Sequence, residues 1–439
     1  MILSREKYDN VFGLLEKHHK WFSESIPLIA SENIPSPAVR EAFVSDFGNR
    51  YAEGWPGERV YAGCTYIDEV ELITIELAKK LFNAEFADVR PISGVCANLS
   101  VYSAFTNPND KMIALPIPSG GHISHGKSDF SGTAGLVHGL RIDYFAFDRE
   151  EMNIDVDKSK QRITKMIEEE NDKPNMAMFG GSLFLFPHPM KELKDFLLDH
   201  DIFICYDSAH VSGLIAGKQF QDPLREGAQT MTLSTHKTLP GPQGGMILSW
   251  NKYADDIKKS VFPGNTSNHH LHSVAAKAIA FAEMLEFGKD YAVQTVKNAK
   301  ALAESLNEKG LVVLGEKNGF TESHQVAVDT SKYGDGGYFE KELEKANLIV
   351  NRQLLPGDKK AGRDYVHPGG IRLGSSEITR LGMKESEMIE IANFISRIII
   401  DKENIDTIKT DVIEFRKQFT KVHYAFETLT DAYKYIKIR

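Results

Sequence analysis

Cysteine is scarce in this chain: Cys64, Cys96 and Cys205 are the only ones, with no CxxC and no paired spacing. That excludes a disulfide framework and a cysteine-built zinc site, and lone thiols suit a reducing compartment. Long apolar runs are missing too. The most apolar window, residues 176–190, is broken by Gly180, Gly181, Pro187 and Pro189, short of the roughly 18–20 uninterrupted residues of a membrane span. The opening stretch MILSREKYDN carries charges where a signal peptide needs an apolar core. Basic residues are not in excess: 52 Lys and Arg face 61 Asp and Glu, a net charge of -9. That balance argues against nucleic-acid and membrane-surface partners. The turn SGVCAN fits neither GxxxxGKS nor GxGxxG, and the HxxH of GGHISHG lacks the glutamate of HExxH. The expectation is a soluble, cytoplasmic protein without a metal, and its length suggests about two to three domains.

What is present is an alternation of strand-like and helix-like segments. Residues 4–25 place Val11, Leu14, Leu15, Trp21 and Phe22 near helical spacing. Pro35 and Pro37 break that pattern, and a helix resumes from Ala38. The next segment, NRYAEGWPGERVYAGCTYIDEVE, is a loop dense in glycine and aromatics that carries Glu53, Glu58 and Arg59. A turn at Ser93 and Gly94 precedes a helix expected near Ala97. Amides at such a turn can hold an anion, with a plain helix cap as the alternative. In GGHISHG, His122 and His125 sit in a glycine-rich loop, which suits an imidazole stacked on a flat ring better than a metal site. The strands KMIALPI, LRIDYFAFD, NMAMFGGS, DIFICYDSAH, TMTLSTHKT and GGMILSW alternate with helices. This order implies an α/β fold with a mostly parallel sheet and helices on both faces. A long helix over residues 273–308 leads into a smaller C-terminal α/β domain with strands HQVAVDT, LIVNRQLL and GIRLGSS. The expected divisions are a helical arm over 1–55, a large domain over 56–275 and a small domain over 276–439.

Lys237 lies at the mouth of a buried strand, in GAQTMTLSTHKTLPGPQGG. An ammonium there is costly unless it is paired or neutralised. A Schiff base to an aldehyde cofactor removes the charge and makes the lysine catalytic. Asp207 ends the strand about one βαβ unit upstream, and ligands of such sheets bind at the carboxyl ends of strands. Pyridoxal 5'-phosphate (PLP) needs four groups that the chain can supply. Asp207 can keep its ring nitrogen protonated, while Ser93 and the amides from Gly94 onward can take its phosphate. His122 can stack on the ring, and Arg372 can fork onto a substrate carboxylate.

The stretches LIASEN, RYAEGWPGERVYAG, PISGVCANLSVY, GGHISHG, YDSAHVSGLIAG, STHKTLPGPQGG and GIRLGSSEITRLGMKE run over residues 28–387. Together these make the chain resemble the serine hydroxymethyltransferases, fold-type I PLP enzymes, in an archaeal-like variant, which implies a large domain with a mostly parallel sheet of the seven-stranded type. The resemblance implies that Lys237 forms the Schiff base, supported by His236, with Asp207 on the ring nitrogen and His122 stacked. It implies Ser93, Gly94, Val95 and Ser234 around the cofactor, and Ser182 and His210 near its hydroxyl. Arg372, with Ser31 and Tyr61, is implied to bind the amino-acid carboxylate, and Glu53 to be the acid/base facing the substrate hydroxyl and the pterin. Tyr51 would reach the partner subunit's cofactor in an obligatory homodimer, with pairing into a tetramer left open. The implied reaction moves the hydroxymethyl carbon of serine reversibly to a reduced pterin, giving glycine.

Several departures from the family pattern stand out, among them LFLFPHP after Ser182 and a small domain expected to be shortened around NRQLLPGDKKAGRDY. Val95 and Cys96 follow PISG where a hydroxyl-bearing residue and a glutamine are usual, so the phosphate leans on backbone amides and Ser93. NTSNHHLHS replaces a glycine-rich run after FPG, leaving Gly264 and its neighbours opposite the partner's phosphate. The carrier is therefore either tetrahydrofolate or a methanopterin-type pterin. The alternatives to the transferase are a pterin-independent aldolase for threonine-type substrates and a non-catalytic protein on an inherited fold.

Overall fold

The computed structural model describes residues 2–438. Its central sheet is built from β1 (Phe86–Asp88), β2 (Lys111–Ala114), β3 (Arg141–Tyr144), β4 (Met176–Gly180), β5 (Phe203–Asp207), β6 (Thr230–Ser234) and β7 (Gly245–Ser249). The seven strands lie in the order β1-β7-β6-β5-β4-β2-β3. Pairs β6–β5, β5–β4, β4–β2 and β2–β3 are parallel. Strand β7 runs antiparallel to both neighbours. The connection from β6, residues 235–244, is too short for the crossover a parallel strand needs. Helices cover both faces, so strands such as β4, β6 and β7 are buried at every residue.

Helix α1 (Gly94–Phe105) starts three residues before the expected point. Ser93 caps it, its hydroxyl accepting from the Cys96 amide at 3.2 Å. The long helix α2 (Leu271–Glu308) serves two cores. Val274, Phe281, Met284 and Tyr291 pack under the central sheet, and Ala299, Leu302 and Leu306 pack under a second one. Phe281 is fully buried, and its truncation to alanine should cost about 3–5 kcal/mol.

The second sheet is antiparallel. It comprises β8 (Val312–Val313), β9 (Gln325–Asp329), β10 (Asn351–Gln353) and β11 (Gly370–Gly374) in the order β8-β9-β11-β10. The expected strand LIVNRQLL divides. Leu348–Ile349 pairs in parallel with Ile26–Pro27 near the N-terminus, and only β10 joins the sheet. The aromatic C-terminal stretch returns to the N-terminal region, where Val422, Ala425 and Ala432 pack with Ile34 and Leu381. Among the described residues no helix is long and apolar enough to cross a membrane.

Candidate active site

Strand β5 places Asp207 at its C-terminal end, level with Thr232 of the neighbouring β6. Strand β6 ends at Ser234, and the chain continues through His236 and Lys237 before the turn into β7. These ends and the N-terminus of α1 enclose a cavity of about 200 Å³. Ser93, Gly94, Val95, His122, Asp207, Ser234, His236 and Lys237 all line it. Eight residues expected from the sequence to lie around the cofactor and its lysine thus meet at one point.

The electrostatics suit a Schiff-base lysine. Lys237 is only 9% exposed, and burial pulls its amine down to about 8, against the pull of Asp207 and with help from Arg372. Burial alone would raise the Asp207 carboxyl. The hydrogen bond from His125 leads the effects that reverse this and hold it well below the usual carboxylate range. Asp207 Oδ2 accepts from His125 Nε2 and from Asn98 Nδ2, each at 2.9 Å, and Oδ1 accepts from the Ala209 amide at 2.9 Å. Asn98 is itself fixed, since its Oδ1 accepts from Thr232 Oγ1 at 2.6 Å. The ionised carboxylate is therefore built in.

The two histidines of GGHISHG part company. His122 faces the cavity, and its Nδ1 accepts from the Ser124 amide at 3.1 Å. Burial lowers its imidazole to about 4, so it is a neutral ring at pH 7. His125 turns inward to Asp207, with its buried Nδ1 unpartnered among the described residues. His236 is likewise lowered to about 4, by burial first and then by the charge of Lys237.

Further from the cavity, Gln325 of β9 ties the two sheets together. Its Nε2 donates to Ser182 O at 2.8 Å and to His210 Nδ1 at 3.0 Å, while its Oε1 accepts from the Phe184 amide at 2.9 Å. Because Nδ1 accepts, the His210 proton resides on Nε2. Arg372 of β11 is buried, and burial lowers its guanidinium to about 10. It donates to Ser182 O at 2.5 Å and to Asn351 Oδ1 at 3.3 Å. Neither partner is a carboxylate, so a buried cation awaits an anion.

Other expected residues lie elsewhere. Ser31 lines an adjoining cavity of about 640 Å³, which shares His236 and Gln243 with the first. Tyr51, Glu53, Tyr61 and Gly264 do not line the lysine cavity. Tyr51 is 54% exposed and Tyr61 44%, with their rings 5.2 Å apart. Sequence reasoning gave no role to Asn98, His125, Gln325 or His324, whose ring stacks on His210 at 5.7 Å. For His125 the only signal was its place three residues after His122 in the same glycine-rich loop.

The groups present fit PLP. A Cβ on Gly94 would come within 2.5 Å of Ser234 Oγ, and one on Gly245, the first residue of β7, within 2.2 Å of Ser93 O, so glycines let the turn before α1 lie close against the strand ends. Gly94 and Val95, the first two residues of α1, line the cavity, and the leading amides of a helix suit a phosphate. The serine hydroxymethyltransferase family model matches residues 5–395. The chain belongs to the serine hydroxymethyltransferase family. It is 64% identical over 436 residues to a serine hydroxymethyltransferase of Nitrosopumilus maritimus, covering 99% of both chains. Against that of Methanothermobacter marburgensis it is 53% identical over 438 residues, covering 100% of both. A solved L-threonine transaldolase from Pseudomonas fluorescens, in its internal aldimine state, superposes with a TM-score of 0.85 at 29% identity, covering 97% of this chain and 94% of that one. The fold is fold-type I, and members of this family are PLP-dependent one-carbon transferases.

Proposed function

We propose that this chain is a serine hydroxymethyltransferase that moves the hydroxymethyl carbon of serine to a reduced pterin, reversibly, leaving glycine. The observation that carries it is the cavity in which Lys237, lowered to about 8, meets an Asp207 carboxylate and the capped N-terminus of α1. When bound, PLP supplies an electron sink for the pair released as the Cα–Cβ bond breaks. Lys237 would carry the cofactor and hand it to the substrate amine; lowered to about 8, it offers far more neutral amine for capturing the aldehyde near neutral pH than an ordinary lysine does. Asp207 would hold the proton on the ring nitrogen, and His122 would cover the ring. Ser93 with the amides of Gly94 and Val95 would bind the phosphate, beside Ser234. His210, its proton fixed on Nε2, would face the cofactor hydroxyl together with Ser182, and His236 would hold Lys237 in place. Arg372, with Ser31 and Tyr61, would fork onto the substrate carboxylate, and Glu53 would carry the substrate hydroxyl proton.

In this reading the enzyme works as a homodimer in the cytoplasm. The outward Tyr51 and the exposed turn at Gly264 would serve the partner's cofactor, and three unbridged thiols suit a reducing setting. The aldolase alternative draws no support from its relatives: the threonine transaldolase is far more distant than the transferases at 50–64% identity. The test is serine cleavage by the purified protein with and without reduced tetrahydrofolate or a methanopterin-type carrier. Cleavage that depends on one of them is expected, and its native carrier is the one giving the higher kcat/KM. Full-rate cleavage without any pterin would overturn the transferase reading.

A further inference from the structure

The segment NTSNHHLHS is spent on the loop that carries Glu53. Ser267 Oγ donates to Glu53 Oε1. Asn268 accepts from the Ala52 amide at 2.9 Å and donates to Arg50 O at 3.0 Å, gripping the backbone just ahead of Glu53. His269 is buried and donates to Glu71 Oε2 at 2.7 Å, an oxygen that also accepts from Arg59 at 2.9 Å. Arg59 in turn donates to Ala52 O at 2.8 Å and Gly54 O at 2.7 Å, the carbonyls on either side of Glu53. Gly54 has φ +104 and a Cβ there would lie 2.6 Å from Glu58 O, so the turn is reserved for glycine. The backbone is thus held on both sides of Glu53. Only its side-chain torsions remain, and those are what the Ser267 hydroxyl fixes.

We propose that Ser267 is the positioning residue for Glu53, and that residues 267–269 with Arg59 form a latch aiming its carboxylate at the substrate. The proposal rests on the reading of Glu53 as the group that moves the substrate hydroxyl proton. In that step the proton passes between the substrate oxygen and the carboxylate, while the Ser267 proton stays on its own oxygen. The latch lies wholly within one chain, so a glycine-rich segment could not replace it.

The test uses full-length holoenzyme with serine and reduced pterin at saturation. Loss of a hydrogen bond to a charged group corresponds to about a tenfold change. Ser267→Ala is expected to lower kcat about tenfold with the KM for serine within about twofold. Ser267→Thr, which keeps the hydroxyl, should restore most of the rate. Glu53→Gln should lose more, and adding Ser267→Ala to it should cost nothing further, because the two act as one unit. A wild-type kcat for Ser267→Ala, or its full loss repeated on top of Glu53→Gln, would overturn the latch and leave the role of Glu53 standing. A wild-type kcat for Glu53→Gln would remove the role of Glu53 and the latch together.

Discussion

The lysine cavity and the Glu53 loop are built on opposite plans. The cavity lies among strand ends, and its two central charges are set within one chain: Asp207 has three hydrogen-bond donors, and Lys237 is buried. The loop is outward. Its backbone is pinned by Arg59 and Asn268, yet it carries Tyr51 and Tyr61 at the surface, away from this chain's own cavity. The contrast teaches where each kind of precision comes from. Buried charges at strand ends set the reactivity of an amine and a carboxylate through desolvation and hydrogen bonds. An exposed loop held by hydrogen bonds sets position only, and in the proposed dimer its target would be the site of the second copy.

The largest effect expected of the cavity is from Lys237→Arg. A guanidinium forms no imine, so turnover should fall by about 10³-fold or more while circular dichroism and melting stay near wild type. Near-normal turnover would break the assignment. Next comes Arg372→Ala, which removes a buried cation with no carboxylate of its own. Apparent serine binding should weaken by about 2–5 kcal/mol, read as a raised KM, whereas an unchanged KM would place the carboxylate elsewhere.

The loop's dependence on a second copy can be tested by mixing inactive Tyr51→Ala and Lys237→Arg chains. Half of the dimers would be mixed, each with one intact site, so about a quarter of wild-type activity should return. No recovery after subunit exchange would argue that Tyr51 serves its own chain. The mildest effect concerns pH. Because the neutral amine is the reactive form and burial lowers Lys237 to about 8, capture of PLP by the apo-protein should rise with pH and level off above pH 8. A rate still climbing toward pH 10 would show a lysine in an ordinary solvated environment.

The same contrast explains what the sequence made legible. Asp207 and Lys237 follow apolar strand runs, and the register of β5 against β6 brings them together, so local pattern sufficed. The mostly parallel core followed from the alternation of strands and helices for the same reason. Asn98 and His125 meet Asp207 from 109 and 82 residues away, and Gln325 meets His210 across 115. Such partners are chosen by tertiary packing, and an isolated asparagine or glutamine carries no local mark of it. The segment after Gly264 was visible only as a departure. Its bonds to Ala52, Glu53 and Glu71 span about 200 residues and exist only once α2 has docked.

Borohydride reduction of the holoenzyme followed by peptide mapping is the most direct test of the central claim. The account predicts a single pyridoxyl adduct, on the peptide containing Lys237. An adduct on another lysine, or none, would contradict it.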